Sequence, residues 1–308
     1  MKATKTAQSI LVGACLVSST SVWACSICRC GDPTFNALGM EGVPLNGLRI
    51  ALDTDHLSKE QGSLAEGEFE KVTEERLTLL ASYSVSESVA VFARLPYAKR
   101  DLSETDGIDT EKLSGSGLAD PELYGQLQLW SSPFEGDVGQ RAAVFAIAGV
   151  KTDWGENSLR EGGERADEHV QPGTGSTDWF GGIAGSYQVD PRSALFASVQ
   201  YRSTGDNKFN YEYGDVWLAN IAYEYKFNDR WDGVLELNYR DANRDRDGSE
   251  LDENTGGSIF YATPRLLFNV GDGWVVRASA QLPLSQSGLN GEQDEGKVIN
   301  FGVTYWWQ

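Results

Sequence analysis

Short turns and long polar loops alternate strictly along this chain, between segments whose apolar residues recur at every second position. Leu77, Leu79, Ala81 and Tyr83 share one face of such a segment, and Val91, Ala93, Leu95 and Tyr97 share one face of the next. Ser86–Ser88, Pro133–Gly139, Asp190–Arg192, Asn228–Arg230 and Gly271–Gly273 read as short turns. Leu57–Thr73, Asp101–Gly117, Trp154–Gly175, Asp241–Asn254 and Ser285–Gly296 read as loops. A soluble sandwich has no reason to keep that asymmetry. An outer-membrane barrel does, because its turns lie in the periplasm and its loops outside the cell. The expected fold is therefore all-β, an antiparallel transmembrane β-barrel of about twelve strands.

The predicted strands are Leu48–His56, Glu74–Ser84, Val89–Arg100, Ala119–Trp130, Arg141–Asp153, Thr177–Val189, Ala194–Ser203, Tyr213–Phe227, Trp231–Arg240, Ser258–Val270, Trp274–Leu284 and a C-terminal strand. In that last strand Ile299, Phe301, Val303, Tyr305 and Trp307 fall on one face, and Asn300, Gly302 and Thr304 on the other. Its order resembles the C-terminal signal by which outer-membrane barrels are recognised for assembly, with Gln308 added beyond the last aromatic. The resemblance implies the barrel-assembly machinery as a partner. Tyr97, Trp130, Trp154, Trp179, Tyr201, Trp231, Tyr239, Trp274, Tyr305 and Trp307 lie near strand ends, as two interfacial girdles would. Mean hydropathy is −0.37. Barrel strands average to polar values because they alternate, so that figure is compatible with a membrane protein.

Residues 1–24 read as a signal peptide, with Lys2 and Lys5 before an apolar core and Val22-Trp23-Ala24 as the cleavage site. Export to the outer membrane of a Gram-negative bacterium is the expectation. Lipidation of Cys25 is a weighed alternative. The formal charge is −19, and loss of the leader makes the chain more acidic still. Such a chain repels nucleic acid. It suits the cation-bridged lipopolysaccharide and lipid around a barrel.

Cys25, Cys28 and Cys30 open a linker or plug segment, residues 25–47, ahead of the barrel at 48–308. Three thiolates can wrap Zn²⁺ or Cu(I), but closed structural zinc sites take four ligands. A disulfide that tethers a plug is the favoured reading of these cysteines, and no cofactor is otherwise called for.

Strand parity sends Arg49, Asp53, Arg76, Arg94, Glu122, Gln200, Arg202, Glu224, Glu236, Asn238, Arg240, Arg265, Arg277 and Gln281 inward, because an Arg or Lys on lipid costs about 2–4 kcal/mol at the midplane. The mixed signs predict a network that braces a polar, Arg/Glu-lined lumen, with a ladder guiding an anionic solute as the other reading. His56 and His169 are the only histidines, both taken as solvated, and neither Ser58 nor Ser176 lies in a nucleophile motif. Enzyme activity is not expected.

Leu95-Pro96-Tyr97, Ser116-Gly117-Leu118-Ala119-Asp120-Pro121, Gln171-Pro172-Gly173-Thr174-Gly175-Ser176, Tyr201-Arg202-Ser203-Thr204-Gly205 and Tyr213-Gly214-Asp215 together resemble the outer-membrane transporter-like family labelled for the MetA pathway of phenol degradation. The resemblance implies a barrel that passes small, often hydrophobic or aromatic, compounds. The chain's expected role is thus a passive, narrow porter partly occluded by residues 25–47. A metal- or redox-linked barrel using the cysteines, and a closed structural barrel, are the alternatives.

Overall fold

The computed structural model describes residues 47–63, 68–106, 109–135, 139–252, 255–287 and 293–307. The leader, the plug segment, Cys25, Cys28, Cys30 and Gln308 lie outside the described residues.

Thirteen long strands build the wall: β1 (Gly47–Ser63), β2 (Glu68–Ser86), β3 (Val89–Asp106), β4 (Asp109–Leu118), β5 (Glu122–Ser131), β6 (Ala142–Lys151), β7 (Asp178–Asp190), β8 (Ser193–Ser203), β9 (Val216–Lys226), β10 (Trp231–Ala242), β11 (Gly257–Gly271), β12 (Trp274–Ser287) and β13 (Gln293–Trp307). β4 and β5 lie end to end along β3, pairing Tyr97 with Leu118 and Arg94 with Glu122. They act as one wall strand interrupted at Ala119-Asp120-Pro121, where Pro121 has no N–H to give. The wall is therefore twelve-stranded and antiparallel. It closes where β13 meets β1, from Leu48 opposite Trp307 to Gln61 opposite Gln293. Closure pairs the spanning part of the wall strands on both sides, the condition for crossing hydrocarbon with β-structure, and leaves β4 paired on its β3 side alone.

Burial follows the predicted parity. Leu52, Leu79, Leu95, Ile221, Leu237 and Phe301 face outward and are exposed, while Asp53, Leu80, Asn220, Asn238 and Asn300 are buried. Aromatic pairs mark two levels on the outside. Tyr201–Trp217 (4.8 Å) and Tyr239–Phe260 (4.5 Å) lie toward the loop rim, and Trp231–Phe268 (4.5 Å) and Trp274–Tyr305 (4.7 Å) toward the turn rim. Leu237 sits between these levels. Leu237→Arg is expected to destabilise the barrel by about 2–4 kcal/mol in urea unfolding from lipid vesicles, whereas Leu237→Phe leaves it near wild type.

The structure corrects the predicted boundaries at one place above all. Leu57–Thr73 and Asp101–Gly117, expected as loops, are mostly strand. β1 runs on to Ser63, β2 starts at Glu68, β3 runs to Asp106, and β4 pairs with it from Asp109. These four ends form a lip beyond the outer aromatic level. There the outer face meets water, so the hydrogen-bond ladder continues while the apolar alternation stops. Pro121 likewise delays β5 to Glu122, three residues after the predicted start.

Candidate functional site

The interior is built in tiers. One tier is aromatic: Phe92 of β3, Tyr124 of β5 and Phe180 of β7 pack with Ile147, Ala184 and Ala222. The Phe92 and Tyr124 rings stack 4.6 Å apart and nearly parallel, and Phe180 tilts against Tyr124 at 5.9 Å. One pleat closer to the loops stands an ionic tier. Glu122 accepts from Arg94 at 2.8 Å and from Arg202 at 2.7 Å. The Arg202 guanidinium also lies 4.7 Å from the Phe180 ring centroid, where a cation is attracted by the ring face. Above it Glu74 binds Arg76 at 2.7 Å and Arg100 at 2.8 Å.

The far wall carries its own ion pairs. Arg277 holds Asp53 through Nε at 3.0 Å and through Nη2 at 2.5–2.6 Å, and also donates to Thr304. Glu236 pairs with Arg265 at 2.6 Å. Glu295 gathers Lys59 at 2.6 Å, Arg240 at 2.9 Å and the Tyr261 hydroxyl. Arg49 sits 5.1 Å from the Trp306 ring centroid at the turn rim. Gln200, Asn238 and Gln281 are buried, and Glu224 is half-buried. Each predicted lumen residue thus has a located position, most of them in pairs. Removing one partner of a buried pair is costly because the other charge is left without compensation.

The segment between β6 and β7 folds back inside the lip. Its anchor is Asp120, at the break between β4 and β5. That carboxylate accepts from Gly155 N (2.9 Å), Thr174 N (2.7 Å), Thr174 Oγ1 (2.7 Å) and Lys151 Nζ (3.0 Å). Lys151 Nζ also donates to Thr174 Oγ1 at 2.5 Å and Ser176 O at 2.7 Å, and lies 3.3 Å from Asp178. Gln171 is fully buried. Its amide binds Leu159 and Ala166, and its carbonyl accepts from Arg100 at 2.5 Å. Val170 packs on Val72 and Leu102 of the lip. At Gly175 φ is +68°, and a Cβ would fall 1.5 Å from Asn157 Nδ2, so only glycine fits. The Gln-Pro-Gly-Thr-Gly-Ser phrase is therefore packed inside the barrel mouth.

His169, expected to be solvated, is 2% exposed. Its Nδ1 lies 2.6 Å from Asp167 and 3.7 Å from Glu70 on the inner face of the lip. The short helical turn Glu168–Val170 lies against β3 and β4, with Val170 packed on Val72 and Leu102, a docking that a loop sequence does not announce. Burial, with Glu104 and Asp167 nearby, pushes the Glu70 carboxyl up to about 7. Burial also raises Glu104. Asp167 is pushed up by burial, but the hydrogen bond and charge of His169 outweigh it and hold Asp167 low.

A carboxyl with a raised folded pKa contributes stability below its unfolded value near 4.5, and that contribution is lost as pH rises through about 7. Docking of residues 157–170 on the lip is accordingly expected to loosen between pH 5 and pH 8, seen as faster nicking by an added protease. Glu70→Gln should remove most of that dependence and gain about 1–3 kcal/mol of docking at pH 8. Equal nicking of the two proteins at pH 8 would contradict this assignment.

Ser176, the serine nearest His169, is buried and donates to Asp178. Among the described residues no group of three or more His, Cys, Asp or Glu side chains is arranged to hold a metal. The aromatic tier, Asp120, Lys151, Glu74, Arg100 and Glu295 were not singled out from sequence. Phe92 has the same parity as Arg94, and Tyr124 the same as Glu122, so the signal for that tier was present.

A search of curated proteins returns no match to this chain. An outer membrane channel from Pseudomonas putida F1 superposes with a TM-score of 0.66 at 11% identity, over 87% of this chain and 97% of that one. The translocator domain of the autotransporter NalP from Neisseria meningitidis superposes with a TM-score of 0.51 at 15% identity, over 89% and 92%. Both likenesses establish the outer-membrane barrel fold. Residues 65–301 match the family described as the putative MetA-pathway of phenol degradation, and the chain belongs to that family.

Proposed function

We propose that this chain is an outer-membrane channel for the passive passage of small molecules, aromatic ones among them. The observation that carries the reading is the stacking of two kinds of surface inside one closed barrel. Paired arginines and carboxylates line its upper part, and Phe92, Tyr124 and Phe180 its lower part. A polar aromatic molecule finds hydrogen-bonding and ring contacts in sequence along such a path. The residues assigned to the lumen are Arg49, Asp53, Arg76, Arg94, Glu122, Arg202, Glu224, Glu236, Arg240, Arg265 and Arg277. The family's link to phenol breakdown and the P. putida structure's description as a channel support the reading.

In this account the leader exports the chain, the C-terminal strand engages the assembly machinery, and a disulfide among Cys25, Cys28 and Cys30 tethers a short plug. A second reading, a barrel closed by its own side chains, draws on the near-complete burial of Arg100, Glu236 and Arg277. Proteoliposome swelling separates the two. Vesicles carrying the barrel should swell rapidly in isotonic nicotinamide and not in a tetrasaccharide. Swelling equal to that of empty vesicles in both solutions would favour the closed barrel.

A further inference from the structure

Two rows of side chains on the inner face of the lip meet the folded segment, and their chemistry differs. Val72, Leu102 and Leu113 stand opposite one another across β2, β3 and β4, and Val170 and Ala166 pack on them. Two positions nearer the tip of the lip, Glu70 stands opposite Glu104, and Glu104 opposite Glu111, with the same parity. Like charges directly opposite in neighbouring strands destabilise a sheet. The apolar row holds the segment at any pH, whereas the acidic row does so only when its charge is reduced.

Docking adds to that charge. Asp167 caps the turn Glu168–Val170, accepting from His169 N at 2.7 Å, and so comes to lie beside the acidic row. The buried His169 imidazole stands between, with Nδ1 2.6 Å from Asp167 and 3.7 Å from Glu70. The other charged groups around the contact pair with one another. Glu74 binds Arg76 and Arg100, Lys59 binds Glu295, and Arg165 binds Glu168 while its charge also bears on Asp167.

The direction of the pH response follows. A neutral Glu70 suits the docked arrangement, and burial beside Glu104 and Asp167 holds it protonated up to about 7. Burial raises Glu104 as well. Burial pushes Asp167 up too, but His169 outweighs it and keeps Asp167 ionised through this range. A proton on the imidazole acts in the same sense, since it sets a cation between Asp167 and Glu70. The docked form binds protons more tightly than the released one, so it loses stability as pH rises. Release has a defined extent, because Asp120 pins both ends of the stretch, at Gly155 and at Thr174.

We propose that this contact is a latch worked by external pH. It keeps residues 157–170 in the mouth in acid surroundings and frees them in alkaline ones, so that the path widens as pH rises. The widening rests on the channel reading, while the latch itself can be measured whether or not the barrel conducts.

The test is single-channel recording of the refolded mature barrel at pH 5.5 and pH 8.5 in the same salt, beside protease nicking of the same preparations. Wild type is expected to show steps severalfold larger at pH 8.5, and nicking within 157–170 about tenfold faster. Glu70→Gln combined with Glu104→Gln should keep the small step and the slow nicking at both pH values. A conductance change caused by other lumen charges would persist in that variant. The wild-type profile is a test by itself if the double variant fails to fold. Nicking that does not change with pH in wild type, or rises equally in the double variant, would overturn the latch. Nicking that rises as expected in a barrel silent at both pH values would uphold the latch and count against passage. Conductance that rises while nicking stays constant would overturn the latch and leave the channel standing.

Discussion

Replacing Arg277 by leucine is expected to cost about 3–5 kcal/mol, because it strands a buried carboxylate that has just lost its charge partner. Arg277 is 1% exposed and Asp53 5%. The two are joined by three short contacts from a single guanidinium. Their location makes the loss global. Asp53 belongs to β1 and Arg277 to β12, so the pair reaches across β13, the strand that closes the barrel. It can do so because Gly302 of β13 has no side chain. A Cβ there would lie 2.2 Å from Asp53 Oδ1 and 2.7 Å from Arg277 Nε. Arg277→Leu should lower the urea midpoint sharply and Gly302→Val should follow it. Asp53→Asn together with Arg277→Met should recover much of the stability, since no lone charge then remains. Double-variant stability as poor as Arg277→Leu alone would show that packing, not charge, dominates there.

The second large effect is expected at Asp120→Ala. That change removes the acceptor shared by three backbone N–H groups (Gly155, Thr174 and Gly175), the Thr174 hydroxyl and Lys151, all of which hold the folded segment in the mouth. Loss of a buried, charge-assisted network of this kind costs about 3–5 kcal/mol. Here the cost falls on a segment with an open alternative outside the mouth, so local release is expected before the wall unfolds. Protease nicking within 157–170 should rise by at least tenfold while heat-modifiable mobility stays normal. A variant that nicks like wild type would place the anchor elsewhere.

How much of this was legible in the sequence depended on whether lipid was there to enforce it. Alternation is strict where one strand face meets hydrocarbon, so the inward parity of Arg94, Arg202 and Arg277 could be read from their neighbours. In the lip both faces meet water or the folded segment. Val72 and Leu102 then stand as isolated apolar residues among charges, and a paired strand looks like a loop. Parity also gives the face of a residue and not its partner. Glu122 and Arg202 are 80 positions apart in the chain, and only the closed wall sets them at one height. The aromatic tier was missed for a related reason. Aromatics in a barrel sequence invite assignment to the girdles, yet Phe92 and Phe180 have the parity of the interior. The inward path of Gln171–Ser176 had even less signal, since a polar, glycine-rich stretch reads as solvated until Asp120 and Lys151 are seen to satisfy it.

Single-channel recording in planar bilayers tests the central claim most directly, comparing the mature wild-type barrel with Asp120→Ala. A passive channel constricted by the folded segment predicts small steady steps in the wild type and steps at least severalfold larger in the variant. Silence from both, in preparations verified as folded, would contradict it and leave a barrel closed by its own buried ion pairs.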